Sequence, residues 1–164
     1  MTEGVFIGIG SNQGASQSIC KKALIEINVH PQCQVTKVSS WYFTEPMGPP
    51  NQPNYVNSAA YIETNLSPYK FLDLCLCIEQ FHHRERTMRW GPRTLDIDIL
   101  LWPGKIIRSH RLRIPHPELQ NRRFVLKPLS DIEPHLKHPL LGKTIDELLE
   151  LLPEHFKVEF LENS

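Results

Sequence analysis

The stretch Arg89-Trp90-Gly91-Pro92-Arg93-Thr94-Leu95-Asp96-Ile97-Asp98-Ile99-Leu100-Leu101-Trp102 predicts both a strand of the fold and a candidate site. Gly91-Pro92 cannot continue a helix, and from Leu95 onwards apolar residues alternate with polar ones, which is the period of a β-strand. Asp96 and Asp98 should therefore share one face of the strand, with their Cα atoms about 6.6 Å apart. Two carboxylates at this spacing can converge on a cation, so the stretch predicts a magnesium site.

A plainer interpretation of the two aspartates competes with the magnesium site. Aspartates two residues apart often mark only the solvent face of an amphipathic strand. Here the strand ends in Leu100-Leu101-Trp102, which suggests a central strand in which a carboxylate pair is costly to dehydrate without a cation. Four arginines precede the strand, and their charge suits the binding of a polyanion that carries a bound metal ion. They are Arg84, Arg86, Arg89 and Arg93.

Composition limits the class of protein. The chain has 164 residues, of which 40% are apolar, and this suits one well-formed core, so we expect a single domain over residues 1–164. Lysine plus arginine and aspartate plus glutamate number 18 each, so no global basic field is present to hold a nucleic acid or an anionic membrane. We expect neither as a partner, and any anion must be bound locally.

The cysteines and the N-terminus indicate the compartment. The four cysteines form no C-x-x-C pair, and three of them lie in apolar surroundings, so we expect free thiols rather than disulfides. The N-terminus runs directly into Val5-Phe6-Ile7-Gly8-Ile9-Gly10 without a basic leader, and no stretch reaches the length of a membrane span. A cytoplasmic protein is expected.

Six elements are predicted in the order strand, helix, strand, strand, helix, strand. The strands before the aspartate strand cover residues 4–10, 35–43 and 55–64. Pro31 ends the first helix, and Ser67 with Pro68 begins the second, which ends near residue 83.

This order is that of an α+β, ferredoxin-like split βαβ fold, an antiparallel sheet with helices packed mainly on one face. The other face is then partly open. Asp96, Asp98, Tyr55 and Asn57 can gather on it if the register of the strands permits.

Three segments outside this core also have recognisable patterns. Four prolines between residues 46 and 53 disfavour both a helix and sheet hydrogen bonding in the loop 44–54. The backbone groups of this loop are therefore well placed to hold a ligand. Residues 111–117 should be extended, because each proline disfavours helix at the residue before it. Residues 121–129 favour a short helix, and Thr144 with Glu147 forms a capping box for a last helix.

Other motifs are weaker. Gly8-x-Gly10 lacks the third glycine of a dinucleotide fingerprint at the required spacing, and Gly142-Lys143-Thr144 lacks the first glycine of a phosphate loop. His135-x-x-His138 and the pair at residues 82 and 83 lack the further ligands of a transition-metal site, so surface histidines are favoured. His116, fixed between two prolines, is a better candidate for holding a phosphate.

Taken together, the motifs show that the chain resembles the 6-hydroxymethyl-7,8-dihydropterin pyrophosphokinases of folate biosynthesis. The most specific run is Trp90 to Leu100, and the matching motifs extend from residue 5 to about residue 135. The supporting matches are Gly10-Ser11-Asn12, Thr44-Glu45-Pro46-Met47-Gly48, Gln52-Pro53-Asn54-Tyr55-Val56-Asn57, Ile114-Pro115-His116-Pro117 and Asn121-Arg122-Arg123-Phe124.

The resemblance implies transfer of pyrophosphate from ATP to the hydroxymethyl group of the pterin, with AMP leaving. It implies that Asp96 and Asp98 bind two magnesium ions, and that Arg84 and Arg93 neutralise the triphosphate in catalysis. Arg111, His116 and Arg122 match ATP-binding positions. The implied pterin-binding residues are Thr44, Glu45, Met47, Tyr55, Asn57, Trp90 and Phe124.

Two other functions remain open on the residues alone. A nucleotidyltransferase also combines Gly-Ser with D-x-D, but there the two motifs lie close together in the sequence, whereas Ser11 and Asp96 are far apart. A ferredoxin-like RNA-binding module needs exposed aromatic residues amid basic charge, which the neutral composition disfavours. Association with other folate-pathway enzymes is also left open.

Overall fold

The structure is a computed structural model that describes residues 3–12, 16–44, 55–83, 95–153 and 159–160. The elements of the first part of the chain are β1 (Glu3–Ser11), α1 (Ser16–Asn28), β2 (Cys33–Val38), β3 (Tyr42–Thr44), β4 (Tyr55–Thr64) and α2 (Pro68–His83). The second part contains β5 (Asp96–Leu101), β6 (Ile107–Arg108), β7 (Arg113–Ile114), a 3-10 turn (Leu119–Asn121), α3 (Arg123–Ile132), α4 (Ile145–Glu150) and β8 (Glu159–Phe160).

The main sheet is antiparallel, with the strand order β5, β1, β4, β3, β8, and β2 also pairs with β4. The predicted ferredoxin-like α+β fold is confirmed. The strand expected over residues 35–43 is divided into β2 and β3. Ser39 lies at the division, where its Oγ accepts a hydrogen bond from the Ala59 amide (2.8 Å) and lies 2.9 Å from the Ser58 Oγ. A side chain thus replaces one backbone partner of the ladder.

Strand β5 is an edge strand, and the expectation that it is central was wrong. Its residues are nevertheless buried, because Ile97 and Ile99 pack on one face of the sheet and Leu100 and Leu101 pack in a second cluster. The apolar residues at the end of β5 are therefore explained by packing on both faces of the sheet rather than by strands on both sides of β5. Burial of this kind stabilises by about 1.5–3 kcal/mol for each large aliphatic side chain.

Helices cover the sheet unequally. The long helices α1 and α2 pack on one face through Cys20, Leu24, Phe71 and Ile78, among others. The shorter α3 and α4 pack on part of the second face, where Phe6, Ala59 and Leu100 lie in their cluster. In the ranges that the structure describes, no helix is long and apolar enough to cross a membrane.

The helix starts predicted at Ser67 and Thr144 are confirmed by their hydrogen bonds, whereas the helix expected over residues 121–129 spans Arg123–Ile132. The Ser67 hydroxyl accepts from the Lys70 amide (3.3 Å) at the start of α2. At α4 the Thr144 hydroxyl accepts from the Glu147 amide and the Glu147 carboxylate accepts from the Thr144 amide, at 3.1 Å each, which is a capping box.

Two histidines expected at the surface are buried. His82 is 1% exposed, and its Nε2 lies 3.0 Å from Glu26 Oε1, which joins α2 to α1. His138 is 4% exposed, and its Nδ1 accepts hydrogen bonds from the amides of Leu140 and Leu141 (3.2 Å each). Their sequence pattern did not show this because burial depends on how the helices and turns pack.

The burial of His138 predicts how stability depends on pH. Desolvation lowers the pKa of His138 in the folded chain, so protonation favours the unfolded chain, in which the pKa is about 6.5. The stabilisation of the folded chain by neutral His138 is fully present above pH 6.5 and is lost as the pH falls below 6.5. We expect the free energy of unfolding from urea titrations to fall less between pH 7.5 and 5 in His138→Asn than in the wild type. An equal fall in both proteins would contradict this origin.

Candidate active site

The glycines of β1 bring the candidate residues together. Gly10 is the cross-strand partner of Asp96 on one side and of Asn57 on the other, and Gly8 is the partner of Asp98. Cross-strand partners project from the same face of a sheet, so Asp96, Asp98 and Asn57 share one face. This confirms the predicted grouping of the two aspartates with Asn57.

The absence of a side chain at Gly10 allows Asn57 to lie over β1. A Cβ atom at Gly10 would be 2.6 Å from Asn57 Oδ1 and 3.3 Å from the Val56 carbonyl oxygen, both too close for an unadjusted structure. The Asn57 amide therefore extends across Gly10 towards the strand that carries Asp96.

The aspartate pair is half-buried and influences its neighbours electrostatically. Burial and, to a smaller extent, the charge of Asp96 raise the pKa of the Cys20 thiol to about 12. Burial and then nearby acids, Asp98 among them, raise the pKa of Cys75. Both thiols therefore stay protonated at neutral pH, so the negative charge of this region resides on carboxylates.

Glu79 on α2 holds the strand that carries the aspartates. Its Oε2 accepts a hydrogen bond of 2.7 Å from the amide of Ile97, the residue between Asp96 and Asp98. In the part of the chain that the structure describes, no strand pairs with the outer edge of β5, and a side chain from the helix provides the acceptor for this amide. No signal in the sequence distinguished Glu79 from other helical glutamates.

His116 lies on the same strand edge and is held in one tautomer. Its amide donates to the carbonyl oxygen of Leu100 (2.9 Å), and its Nδ1 accepts from the Glu118 amide (3.1 Å). In the neutral ring the proton is then on Nε2. Burial lowers the pKa of His116; the Arg122 charge acts in the same direction, whereas Asp98 and Glu118 oppose it.

Arg122 and Phe124 lie together at the start of α3. The Arg122 guanidinium carbon is 5.8 Å from the centroid of the Phe124 ring, which is a cation–π distance. Both side chains are half-buried, and Phe124 packs against the cluster formed by α3 and α4. Because Arg122 and Asp98 both influence His116, these residues occupy one neighbourhood.

The other sequence-predicted residues are placed less completely. Tyr55 is half-buried and is the cross-strand partner of Thr44, of which only the backbone is described. Arg111 pairs with Asp73 of α2 at an exposed position. The remaining predicted residues lie outside the described ranges, and their roles stay predictions: Arg84, Arg93, Glu45, Met47 and Trp90.

The comparisons with known proteins decide the family. The family model of 7,8-dihydro-6-hydroxymethylpterin-pyrophosphokinase (HPPK) matches residues 6–134 of the chain. The chain belongs to the HPPK family. This match includes Asp96, Asp98 and Asn57 on the shared face.

Relatives of similar length support the HPPK assignment. The chain is 40% identical over 153 residues to the 2-amino-4-hydroxy-6-hydroxymethyldihydropteridine pyrophosphokinase of Pseudomonas aeruginosa, covering 93% of this chain and 94% of that one. It is 42% identical over 150 residues to the enzyme of the same name from Haemophilus influenzae, covering 92% and 93%.

A solved structure supports the fold independently. The crystal structure of wild-type Plasmodium falciparum HPPK-DHPS with pterin and p-hydroxybenzoate superposes with a TM-score of 0.71 at 15% identity. It covers 92% of this chain, whereas this chain spans 43% of that longer protein. The likeness shows that this chain has the same fold as part of that longer protein.

The glycine at position 10 can be tested with its neighbour as a control. In Gly10→Ala the new methyl group must displace Asn57, so we expect weaker pterin binding, by roughly tenfold if one well-oriented hydrogen bond is lost. In Gly8→Ala the nearest atom, Leu100 Cδ1, is 3.4 Å from the Cβ, so binding should change much less. Isothermal titration with pterin measures both. Equal pterin affinity in the two variants would contradict this role for Gly10.

Proposed function

We propose that Asp96 and Asp98 hold the magnesium ions of the reaction and that the residues around them bind the two substrates. As an HPPK, the chain is a pyrophosphokinase of folate biosynthesis that uses ATP and a pterin. The single observation that supports the assignment of residues is the row Asp96, Gly10, Asn57 across three adjacent strands.

The spacing of this row suits the two substrates. Neighbouring strands lie about 4.8 Å apart, so the Cα atoms of Asn57 and Asp96 are separated by roughly 10 Å across β1. A pterin ring whose edge is bound by Asn57 then extends its hydroxymethyl arm towards the aspartates. The triphosphate is proposed to bind at the aspartates. Because Gly10 has no side chain, β1 places no side chain there between the hydroxymethyl arm and the triphosphate.

The donor set fits magnesium. In the described ranges, no group of three or more histidine, cysteine, aspartate or glutamate side chains could hold a metal ion. Magnesium is commonly bound by one or two carboxylates together with water and substrate phosphates, so two aspartates suffice when ATP supplies further oxygens. When bound, the ions would neutralise charge on the triphosphate.

Basic side chains complete the proposed nucleotide site. Neutral His116 presents its Nε2–H as a donor to a phosphate oxygen, and Arg122 beside it supplies charge. Arg111 forms an exposed ion pair with Asp73, and such pairs contribute little, so it can be exchanged for a phosphate contact at small cost. Arg84 and Arg93 are proposed to neutralise the transferred group.

The proposed pterin site lies between β4 and α3. Tyr55 and Phe124 would enclose the ring and Asn57 would bind its polar edge, with Trp90 and the backbone from Thr44 to Met47 closing the site. Stacking fixes the plane of a ring, and a hydrogen bond at its edge fixes its rotation. The chain thus contributes mainly positioning, which is what transfer from a triphosphate chiefly requires.

The setting of the reaction is also part of the proposal. We infer that residues 1–164 act as one domain, because both apolar clusters pack on the same sheet. All four cysteines are free, as expected from the sequence, which favours a cytoplasmic location. Association with other folate-pathway enzymes is suggested by relatives in which the matching part is a fraction of a longer protein, such as Plasmodium falciparum HPPK-DHPS.

The aspartates are tested by substitution. We expect Asp96→Ala and Asp98→Ala each to lower turnover by at least about 100-fold, since each removes a charged ligand of the transition state. The melting temperature without ligands should stay unchanged or rise, because two like charges repel each other on one face. Glu150→Gln at the end of α4 is a control for charge alone. Activity above one tenth of wild type in both aspartate variants, or melting lower by many degrees, would reject the metal role.

The products test the proposed reaction against its alternatives. Attack at the β-phosphorus releases AMP and yields a pyrophosphorylated pterin, which is the outcome we expect when the chain is incubated with ATP, magnesium and the hydroxymethyl pterin. ADP with a singly phosphorylated pterin would indicate an ordinary kinase. Release of pyrophosphate with nucleotide attached to the acceptor would indicate a nucleotidyltransferase. Chromatography with labelled ATP separates these outcomes.

A further inference from the structure

We propose that the hydrogen bond between Tyr42 and Asp131 sets the separation of α3 from the sheet and thereby positions Phe124 opposite Asn57 for the pterin. This inference rests on the proposed pterin site. Neither residue is among those that the sequence motifs assign to ATP, metal or pterin. They are positioning residues, since they act through Asn57 and Phe124.

The bond itself is strong. Tyr42 is 4% exposed, and its hydroxyl donates to Asp131 Oδ2 over 2.5 Å, the length of a charge-assisted hydrogen bond. Burial and the Asp131 carboxylate both raise the pKa of Tyr42, while a hydrogen bond with Ser40 opposes them. The phenol therefore keeps its proton at neutral pH and remains the donor of this bond.

The two ends of the bond lie beside the two sides of the proposed pterin site. Tyr42 is the cross-strand partner of Asn57, so the two side chains project from the same face of adjacent strands. Asp131 follows Phe124 by seven residues in α3, close to two helical turns, so both project from nearly the same side of the helix. One hydrogen bond thus joins the Asn57 side of the site to the Phe124 side.

The nucleotide side is attached by different contacts. The His116 amide bonds to Leu100 on β5, and the Leu119 amide bonds to the His116 carbonyl oxygen at 3.2 Å. These backbone hydrogen bonds connect the segment before α3 to β5, and the Tyr42 hydroxyl takes no part in them. Loss of the Tyr42 hydroxyl should therefore disturb the pterin side more than the ATP side.

The test uses Tyr42→Phe, which removes only the hydroxyl, and Asp131→Asn, which weakens the acceptor at nearly constant size. Pterin is titrated calorimetrically in the presence of magnesium and a non-hydrolysable ATP analogue, and the analogue is titrated separately. We expect the pterin Kd to rise about fivefold in Tyr42→Phe and less in Asp131→Asn, with the analogue Kd within about twofold of wild type. The double variant should bind pterin no more weakly than Tyr42→Phe alone.

A matched control separates positioning from general destabilisation. Thr144→Ala removes the cap of α4, which packs against α3, and should lower the melting temperature without changing the pterin Kd. An unchanged pterin Kd in Tyr42→Phe, an equal rise in both ligands' Kd, or an equal pterin effect in Thr144→Ala would overturn the inference.

Two further variants show which idea has failed. Asn57→Ala and Phe124→Ala should weaken pterin binding more than Tyr42→Phe does, since they remove proposed contacts. If they bind pterin normally, the proposed pterin site is wrong and the inference fails with it. If they lose pterin while Tyr42→Phe keeps it, the site stands and only the positioning role is rejected.

Discussion

The close approach of side chains over β1 is the constraint on which the candidate site depends. Because Gly10 has no side chain, Asn57 from one neighbouring strand reaches over it, and Asp96 faces it from the other. Gly8 similarly faces Asp98 and has Leu100 over it. A larger residue at position 10 would displace the Asn57 amide, whereas an alanine at position 8 would meet only Leu100 at an ordinary contact distance. The absence of a side chain at Gly10 therefore leaves room for Asn57 beside the acidic pair, as the proposed site requires.

Placing the acidic pair on an edge strand creates a second requirement. Among the described residues no strand pairs with the outer edge of β5, and a side chain and a loop satisfy two of its backbone groups. Glu79 accepts from Ile97, and the His116 amide donates to Leu100. The second contact also brings an imidazole to the edge of the acidic strand, so the segment that protects this edge also carries a residue of the proposed nucleotide site.

Local patterns predicted much of this arrangement, and long-range contacts account for the rest. The bounds of β4 and the start of α2 follow from alternation and capping, and the shared face of Asp96 and Asp98 follows from the strand period. The edge position of β5 could not be predicted from the apolar pattern of the strand itself, because burial by helices and burial by strands produce the same pattern. The Tyr42–Asp131 bond depends on the register of β3 and on the docking of α3, and neither is encoded within a single element.

In the proposed site the metal ions and the pterin occupy one face of the sheet, on opposite sides of β1 at Gly10. A crystal structure with manganese, a non-hydrolysable ATP analogue and pterin tests it through anomalous scattering of the metal. We expect manganese peaks within about 2.2 Å of carboxylate oxygens of Asp96 and Asp98, with the pterin edge hydrogen-bonded to Asn57 across Gly10. Manganese bound at other carboxylates, or pterin bound away from Asn57, would contradict it.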